Sequence, residues 1–454
     1  MHCGKEKSMK VLKFGGTSVG TPESIKSVTD IIVSQPGRKI VVVSAMSGVT
    51  NLLVRLNGAL AEGNEAEASI VIEEIRQKHL DLISKLFTSE EKKKATTDLF
   101  ESYFEMLLET TEEEPGAVRE ASVVTFGETF LSTIFSNYME AVGVSNTLLD
   151  ARDFMHVASV ENPDIEPVEK LLFETLHREV PNEVYLTQGF VRIDRNKNIN
   201  TLNRGGSDFT ATIIGAAINA QEVQIWTDID GFHNNDPRYV ENTTALKQLT
   251  FEEAAELAYF GAKILHPQTV SPVKEKNIPI FLKNTFTPDA PGTKISSEIQ
   301  AHGLKAISAK DGITAIKIKS NRMLMAHGFL KRIFDVFDRY ETAIDMITTS
   351  EIAISLTIDD CRNLQQILDE LNEYGEISVD RDHSIICIVG EGVINDRHTF
   401  RLFELLNDIP VRMISYGGSS NNISLLVDTK NKIKALQTLN RKLFEEKLVT
   451  ETFY

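Results

Sequence analysis

Cysteine is scarce in this 454-residue chain and scattered: Cys3, Cys361 and Cys387 form no CxxC and no ligand-like cluster. That excludes a disulfide-stapled scaffold, argues against a zinc module and points to a reducing compartment. Glycine (26) and proline (13) are too few for a low-complexity or collagen-like chain. Basic residues are outnumbered, 48 Lys and Arg against 65 Asp and Glu, giving a net charge of −17. A global basic footprint for nucleic acid is therefore missing. No run of about 18 apolar residues occurs, so no membrane-spanning helix is expected. The opening MHCGKEKSMKVLKF has neither the apolar stretch of a secretory signal nor the Arg-rich character of a transit peptide. The expected location is cytoplasmic, with no nucleic-acid and no membrane partner. Familiar nucleotide motifs are missing too: there is no GxxxxGK[ST] and no GxGxxG after a strand. The acidic stretch TDIDGFHNNDPR fails as a calcium loop, because only two residues separate Asp228 from Gly231.

What is present reads as an ordinary soluble enzyme, 42% apolar and 25% charged. At roughly 150 residues per domain the length suggests about three domains. Strand-like apolar runs at 11–14, 40–44, 121–125, 184–190, 223–227 and 278–282 alternate with helical patterns. Thr21-Pro22-Glu23 is a helix start, with an N-cap, Pro in the first turn and an acid at the positive end; Ile25, Val28 and Ile32 follow at helical spacing. Residues 9–300 are thus expected to form a three-layer αβα domain around a mainly parallel sheet, after a frayed extension at 1–8. Within it, 60–118 reads as a helical insertion with a solvated charged face, its apolar side carrying Ile72, Ile75, Leu82, Ile83 and Leu86. A linker is expected at 301–312. The rest contains a repeat of about 70 residues, in which TTSEIAISLTID and GSSNNISLLVD echo each other. Two ferredoxin-like βαββαβ modules are expected, at 313–383 and 384–454. Paired modules of this size suit either ligand sensing or oligomerisation.

Three glycine clusters carry the chemistry. Lys13-Phe14-Gly15-Gly16-Thr17-Ser18 ends the first strand, and Ser44-Ala45-Met46-Ser47-Gly48-Val49-Thr50 ends the second. Arg204-Gly205-Gly206-Ser207-Asp208 opens an apolar helix. In parallel sheets ligands sit beyond the carboxyl ends of the strands. Glycine lets backbone N–H groups approach phosphate oxygens, a helix N-terminus adds positive potential, and a neighbouring lysine can meet the charge on a transferring phosphoryl group. Any one cluster could be a tight turn; three together, with a Lys, an Arg and an Asp, read as a phosphoryl-transfer site.

KFGGTSVG, SAMSGVTNLL, FGE, RGGSD, TDIDGFHNNDPR and FGAKILHP occur in that order, followed by MLMAHGFLKRIF…IDMITTSE and SYGGSSNNISLLVD. Over nearly its whole length the chain resembles the aspartate kinases of the amino-acid kinase family, in their lysine-sensitive form with two C-terminal ACT domains. The resemblance implies phosphoryl transfer from ATP to the β-carboxylate of L-aspartate, with Mg2+ held mainly by ATP. It places Lys13, Gly15, Gly16 and Asp208 at the transferring phosphoryl group. Ser44, Thr50, Glu128, Phe190, Arg204 and Ser207 would bind aspartate: Arg204 the α-carboxylate, Glu128 the α-ammonium. Capping of a helix N-terminus is the alternative role for Glu128. The nucleotide would meet Lys13, Thr227, Asp228, His233, Arg238 and Lys263, unless Arg238 is simply a surface ion pair with Asp236. Bound lysine would be surrounded by Met323, Gly328, Phe329, Leu330, Ile344 and Asp345 in the first ACT module. ACT pairing implies a homodimer or a higher assembly.

Four positions depart from the family pattern. His233 stands where a tyrosine is common, and Asn203 where glycine is. Ala326 and Ala343 replace serines found in some lysine-sensitive relatives, which bears on the effector. His266 reads as structural. Two other functions stay open at this point: a different amino-acid kinase, such as one for glutamate, and an amino-acid sensor with an inactive kinase domain.

Overall fold

The computed structural model describes residues 9–203, 205–261, 264–320, 327–395, 399 and 401–446. They fall into two compact units. The first comprises the described residues of Met1–Phe232, Lys247–Phe251 and Ile264–Glu298; the second comprises those of His233–Leu246, Glu252–Lys263 and Ile299–Tyr454. The expected extension at 1–8 lies outside the described residues.

Up to residue 298 the elements are β1 (Lys10–Phe14), α1 (Pro22–Ser34), β2 (Lys39–Val43), α2 (Val49–Ala61), α3 (Glu65–Leu86), α4 (Glu90–Thr111), α5 (Ala117–Ala141), β3 (Thr147–Leu149), α6 (Ile165–Arg178), β4 (Val184–Gln188), β5 (Val191–Ile193), β6 (Ile199–Thr201), α7 (Gly206–Ala217), β7 (Val223–Thr227), β8 (Gln248–Thr250), α8 (Phe251–Tyr259), α9 (Ser271–Lys274), β9 (Ile280–Asn284) and β10 (Thr293–Ser296). Eight strands form one sheet in the order β3-β4-β2-β1-β7-β9-β10-β8. Every neighbouring pair is parallel except β9 with β10. The α/β class read from the alternating pattern is the class found.

β1 and β2 are buried at every residue but Lys10, as strands of a sheet covered on both faces are. Phe14 pairs in register with Val43 on one side and Trp226 on the other. The carboxyl ends of β1, β2 and β7 are therefore level, and the first two glycine clusters begin at those of β1 and β2. Thr21 caps α1 in a reciprocal box: its hydroxyl accepts from the Ser24 N–H, and Ser24 Oγ accepts from the Thr21 N–H.

One strand expectation fails. Residues 121–125 lie inside helix α5, not in a strand. Residues 122–128 and 130–135 of that helix are buried all round, so its apolar positions carry no one-sided period. A fully buried helix and a buried strand look alike in such a run. Helices α3 and α4 pack on α5 through an aromatic cluster, in which His79 lies 5.3 Å from the Phe100 ring and 5.2 Å from the Phe130 ring.

The second unit holds β11 (Gly303–Lys319), α10 (Phe329–Arg339), β12 (Met346–Thr349), β13 (Ala353–Ile358), α11 (Leu364–Leu371), β14 (Glu376–Glu391), α12 (Arg401–Leu405), β15 (Val411–Tyr416), β16 (Asn422–Asp428) and α13 (Lys432–Asn440). Its six strands form one antiparallel sheet, β12-β13-β11-β14-β16-β15. Two strands are long and serve both modules. The carboxyl half of β11 pairs with β13, whereas its amino half lies along the carboxyl half of β14, which in turn pairs with β16. Two apolar cores result. Ile316, Phe329, Ile333, Leu356 and Ile367 belong to one, and Ile307, Ile388, Leu425 and Leu436 to the other.

The expected linker at 301–312 is thus a correction: from Gly303 onward it is strand. In the structure Gly312, at φ 78°, sits in a bulge where the register shifts between Lys310 and Ile313, and the strand continues through it. A strand lying in front of the first module completes the second, so the two are interleaved rather than consecutive.

Candidate active site

A cleft of 620 Å³ opens at the carboxyl ends of β1 and β2, lined by Lys13, Gly16, residues 44–48, Thr50, Asn51, Glu128, Phe190, Thr201, Asn203 and residues 205–208. Lys13 is carried by β1 and is only 8% exposed. Its Nζ lies 2.6 Å from Asp208 Oδ1. Asp208 stands in the first turn of α7, where the helix dipole favours a carboxylate. Burying a lone ammonium is costly unless an anion compensates it, so each member of the pair makes the other tenable.

Two helices start at the cleft without a side-chain cap. Gly48 precedes α2 at φ 83°, and Gly205 precedes α7 at φ 78°. The left-handed backbone suits glycine at both, and the first-turn N–H groups remain available to an anion. A Cβ on Gly205 would fall 2.8 Å from His266 Cβ. His266 packs there and caps the following turn by accepting from the Gln268 N–H, which is a structural role. Gly16 is required for a different reason: a Cβ on it would come within 2.8 Å of the Ala45 carbonyl oxygen. The loops after β1 and β2 therefore touch only because Gly16 has no side chain.

Glu128 lies in the middle of α5, which excludes capping of a helix N-terminus. It is 3% exposed. Its Oε1 accepts from the Ala45 N–H at 3.1 Å, while Oε2 is buried and has no partner among the described residues. Burial pushes this carboxyl up to about 8. In the empty cleft at neutral pH the protonated carboxyl is favoured, and a cation beside Oε2 would favour the ionised form.

Phe190 holds a left-handed backbone, φ 69°, uncommon for a bulky residue. Its N–H donates to Thr210 Oγ1, its carbonyl accepts from Leu202, and a Cβ on Gly206 would strike its ring. The ring is thereby fixed as a wall of the cleft. Ser44, Thr50 and Ser207 line the cleft as well. The structure adds Asn51, Thr201 and Asn203. Asn51 directly follows the second glycine cluster and Asn203 directly precedes the third, so both could have been included; Thr201 carries no motif signal. Arg204 lies outside the described residues.

Of the proposed nucleotide residues in the first unit, Lys13 lines this cleft, whereas Thr227 and Asp228 are not among its lining residues. Thr227 ends β7 and its hydroxyl donates to Asp228 Oδ1 at 3.0 Å. His233 and Arg238 fall in the second unit. His233 Nδ1 lies 2.9 Å from Thr243 Oγ1. Arg238 is held by Asp236 through Nε at 2.9 Å and an Nη at 2.6 Å, which is the surface ion pair of the alternative reading. Lys263 lies outside the described residues. Among the described residues no three His, Cys, Asp or Glu side chains are gathered as a metal site, and no helix is long and apolar enough to cross a membrane.

Of the proposed effector residues, Met323 lies outside the described residues, as does Ala326. Gly328 starts α10 with φ 76°. Phe329 is a core residue, edge-on to Tyr374, rather than a lining one. Leu330 is exposed and Ile344 half-buried. The side chain of Asp345 is 1% exposed and 2.7 Å from Lys310 Nζ.

A profile described as the amino acid kinase family matches residues 8–284, and one described as an ACT domain matches residues 386–443. The lysine-sensitive aspartokinase 3 of Escherichia coli is 30% identical over 448 residues, covering 96% of this chain and 99% of that one. The crystal structure of E. coli aspartokinase III with aspartate and ADP superposes with a TM-score of 0.85 at 29% identity, over 96% of this chain and all of that one. Its complex with lysine and aspartate gives a TM-score of 0.81, also at 29% identity, with the same coverage.

Proposed function

The chain belongs to the amino acid kinase family, and from that premise we propose that it is an aspartate kinase, converting L-aspartate and ATP to 4-phospho-L-aspartate and ADP. The observation that carries this is the pairing of Lys13 with Asp208 in a cleft that also presents the buried, half-satisfied carboxyl of Glu128. A phosphate-handling cation and an ammonium-binding anion in one cleft are what an amino-acid kinase needs.

The β-carboxylate of aspartate is already ionised near neutral pH, so its attack needs no general base. The work is positional and electrostatic: two anions must be brought in line and the charge on the transferring group neutralised. Lys13 Nζ supplies that charge, and Asp208 fixes where it points. The N-terminal turns of α2 and α7 offer N–H donors beside it. Glu128 takes the α-ammonium, Arg204 the α-carboxylate, and Phe190 closes the wall against water. Asn51, Thr201 and Asn203 add polar rim contacts. Thr227 and Asp228 are proposed for the nucleotide, and His233, Arg238 and Lys263 remain nucleotide residues on the family resemblance, with Arg238 exchanging Asp236 for a phosphate. Magnesium travels with the ATP phosphates, as is usual for this small, hard ion. The ACT modules pair across subunits, making at least a homodimer.

Lysine is the proposed feedback inhibitor, bound at the first ACT module around Gly328, Leu330, Ile344 and Asp345. Measuring ADP release with aspartate or glutamate as acceptor, with and without millimolar lysine, tests both parts. Turnover specific to aspartate and suppressed by lysine is expected. Preference for glutamate would replace the substrate, and turnover indifferent to lysine would remove the effector. A folded protein that binds lysine without turning over would be the sensor with an inactive kinase domain.

A further inference from the structure

The two oxygens of Asp345 are in different situations. Oδ1 has two protein donors, Lys310 Nζ at 2.7 Å and the Tyr259 hydroxyl at 2.9 Å. Oδ2 is buried and has no partner among the described residues. A buried carboxylate oxygen without a donor is costly, and here desolvation raises the affinity of the group for a proton. A cation reaching Oδ2 would relieve that cost. Lys310 has somewhere else to go: Asp359 lies 2.9 Å from the same Nζ.

Tyr259 is the last residue of α8. Glu253, Glu256 and Tyr259 recur at three-residue intervals and so share one face of that helix. Glu253 accepts from Lys305 of β11 at 2.7 Å, and Glu256 accepts from Asn422 of β16. Both partners lie on strands of the second module. Tyr259 reaches the first module, at Asp345. Two residues on, Gly261 at φ 114° lies so close to β11 that a Cβ would be 1.9 Å from the Ala309 carbonyl oxygen, directly beside Lys310. Lys263, a proposed nucleotide residue, follows two positions later in the chain.

We propose that Asp345 is a shared carboxylate: a cationic effector takes Oδ2, and the Tyr259 hydroxyl on Oδ1 is the donor given up, which frees the last turn of α8. This rests on the effector reading given above. A neutral phenol is a weaker partner for a carboxylate than an ammonium, so it is lost first when a second cation arrives. The effector's charge also pushes Lys310 toward Asp359. The effector's preference for the state with Tyr259 released is the differential affinity that any allosteric ligand requires. Tyr259 is in this account a coupling residue and makes no contact with the effector.

The test uses the full-length protein and its Tyr259→Phe variant, with lysine as the probe. Binding is followed by calorimetry, inhibition by ADP release, and the phenol by near-ultraviolet difference absorbance. In the wild type, lysine should bind, inhibit and produce a tyrosine difference signal. Tyr259→Phe lacks from the start the bond that lysine is proposed to break, so it should bind lysine at least as tightly as wild type and turn over more slowly without it. Saturating lysine should suppress its remaining turnover far less than it suppresses wild type, about tenfold less or more, a loss in the ordinary range of allosteric coupling, and the difference signal should disappear. A variant inhibited like wild type overturns the proposal, as does one that loses lysine binding, which would make Tyr259 part of the binding site. A wild-type protein that binds no lysine overturns the effector reading itself, and the relay with it.

Discussion

Lys13 and Glu128 are each defined by what burial does to a charge. Lys13 is compensated by Asp208 within the protein, and its removal takes away a preorganised positive group. Lys13→Ala should lower kcat by about two orders of magnitude or more, as loss of such a donor generally does; a drop below about tenfold would deny Lys13 its role. Glu128 has no such compensation. Burial holds its carboxyl near 8 in the empty cleft, and an α-ammonium needs it ionised. In the free enzyme kcat/KM for aspartate should therefore rise with pH, approaching tenfold per unit below about 8, then level off. Glu128→Gln should be slower and flat across that range. A flat wild-type profile from pH 6 to 8.5 would contradict this assignment. Lys13, Asp208 and the glycines were legible in the sequence because backbone requirements and charge recur there in short motifs. The orphan Oε2 of Glu128 was not, since it depends on what α5 is buried against. Nor was the grip of Asp236 on Arg238 certain, because adjacent opposite charges fit a surface pair and a phosphate site equally well.

Helix and strand boundaries were readable where local rules act alone. The Thr21-Pro22 start of α1 is an example, and Thr21→Ala should cost about 1 kcal/mol in a denaturant melt through loss of the capping box. They were unreadable where tertiary burial overrides period, as in α5, or where a strand runs on through a glycine bulge, as in β11. The α3–α4–α5 packing carries its own pH signature. His79 is fully enclosed and its imidazole is pushed down to about 4, chiefly by desolvation. The folded state thus resists protonation that the unfolded chain accepts near 6.5. Stability from this group is complete above about 6.5 and is lost as pH falls toward 4, on the order of 3 kcal/mol by linkage. Melts at pH 7 and 4.5 should show His79→Phe losing less stability than wild type on acidification. Equal losses would show that His79 does not govern the acid limb.

Across the whole molecule, the sequence divides at about residue 300, whereas the compact units do not. Segments His233–Leu246 and Glu252–Lys263 belong to the unit that holds the six-stranded sheet, and Val240 joins the core of the second module. Alternating patterns along the chain identify the two fold types but cannot show that β11 runs ahead of the first module to complete the second. That pairing is set by partners 70 or more residues away, Ser308 with Cys387 for instance. The central claim is that this assembly makes an acyl phosphate on aspartate. Acyl phosphates react with hydroxylamine, so the most direct measurement is hydroxamate formed from aspartate and MgATP in the presence of hydroxylamine, alongside ADP. Aspartyl hydroxamate equal in amount to ADP, and lost with Lys13→Ala, is the predicted result. ADP release without hydroxamate, or no ADP from a folded protein supplied with aspartate, would contradict it.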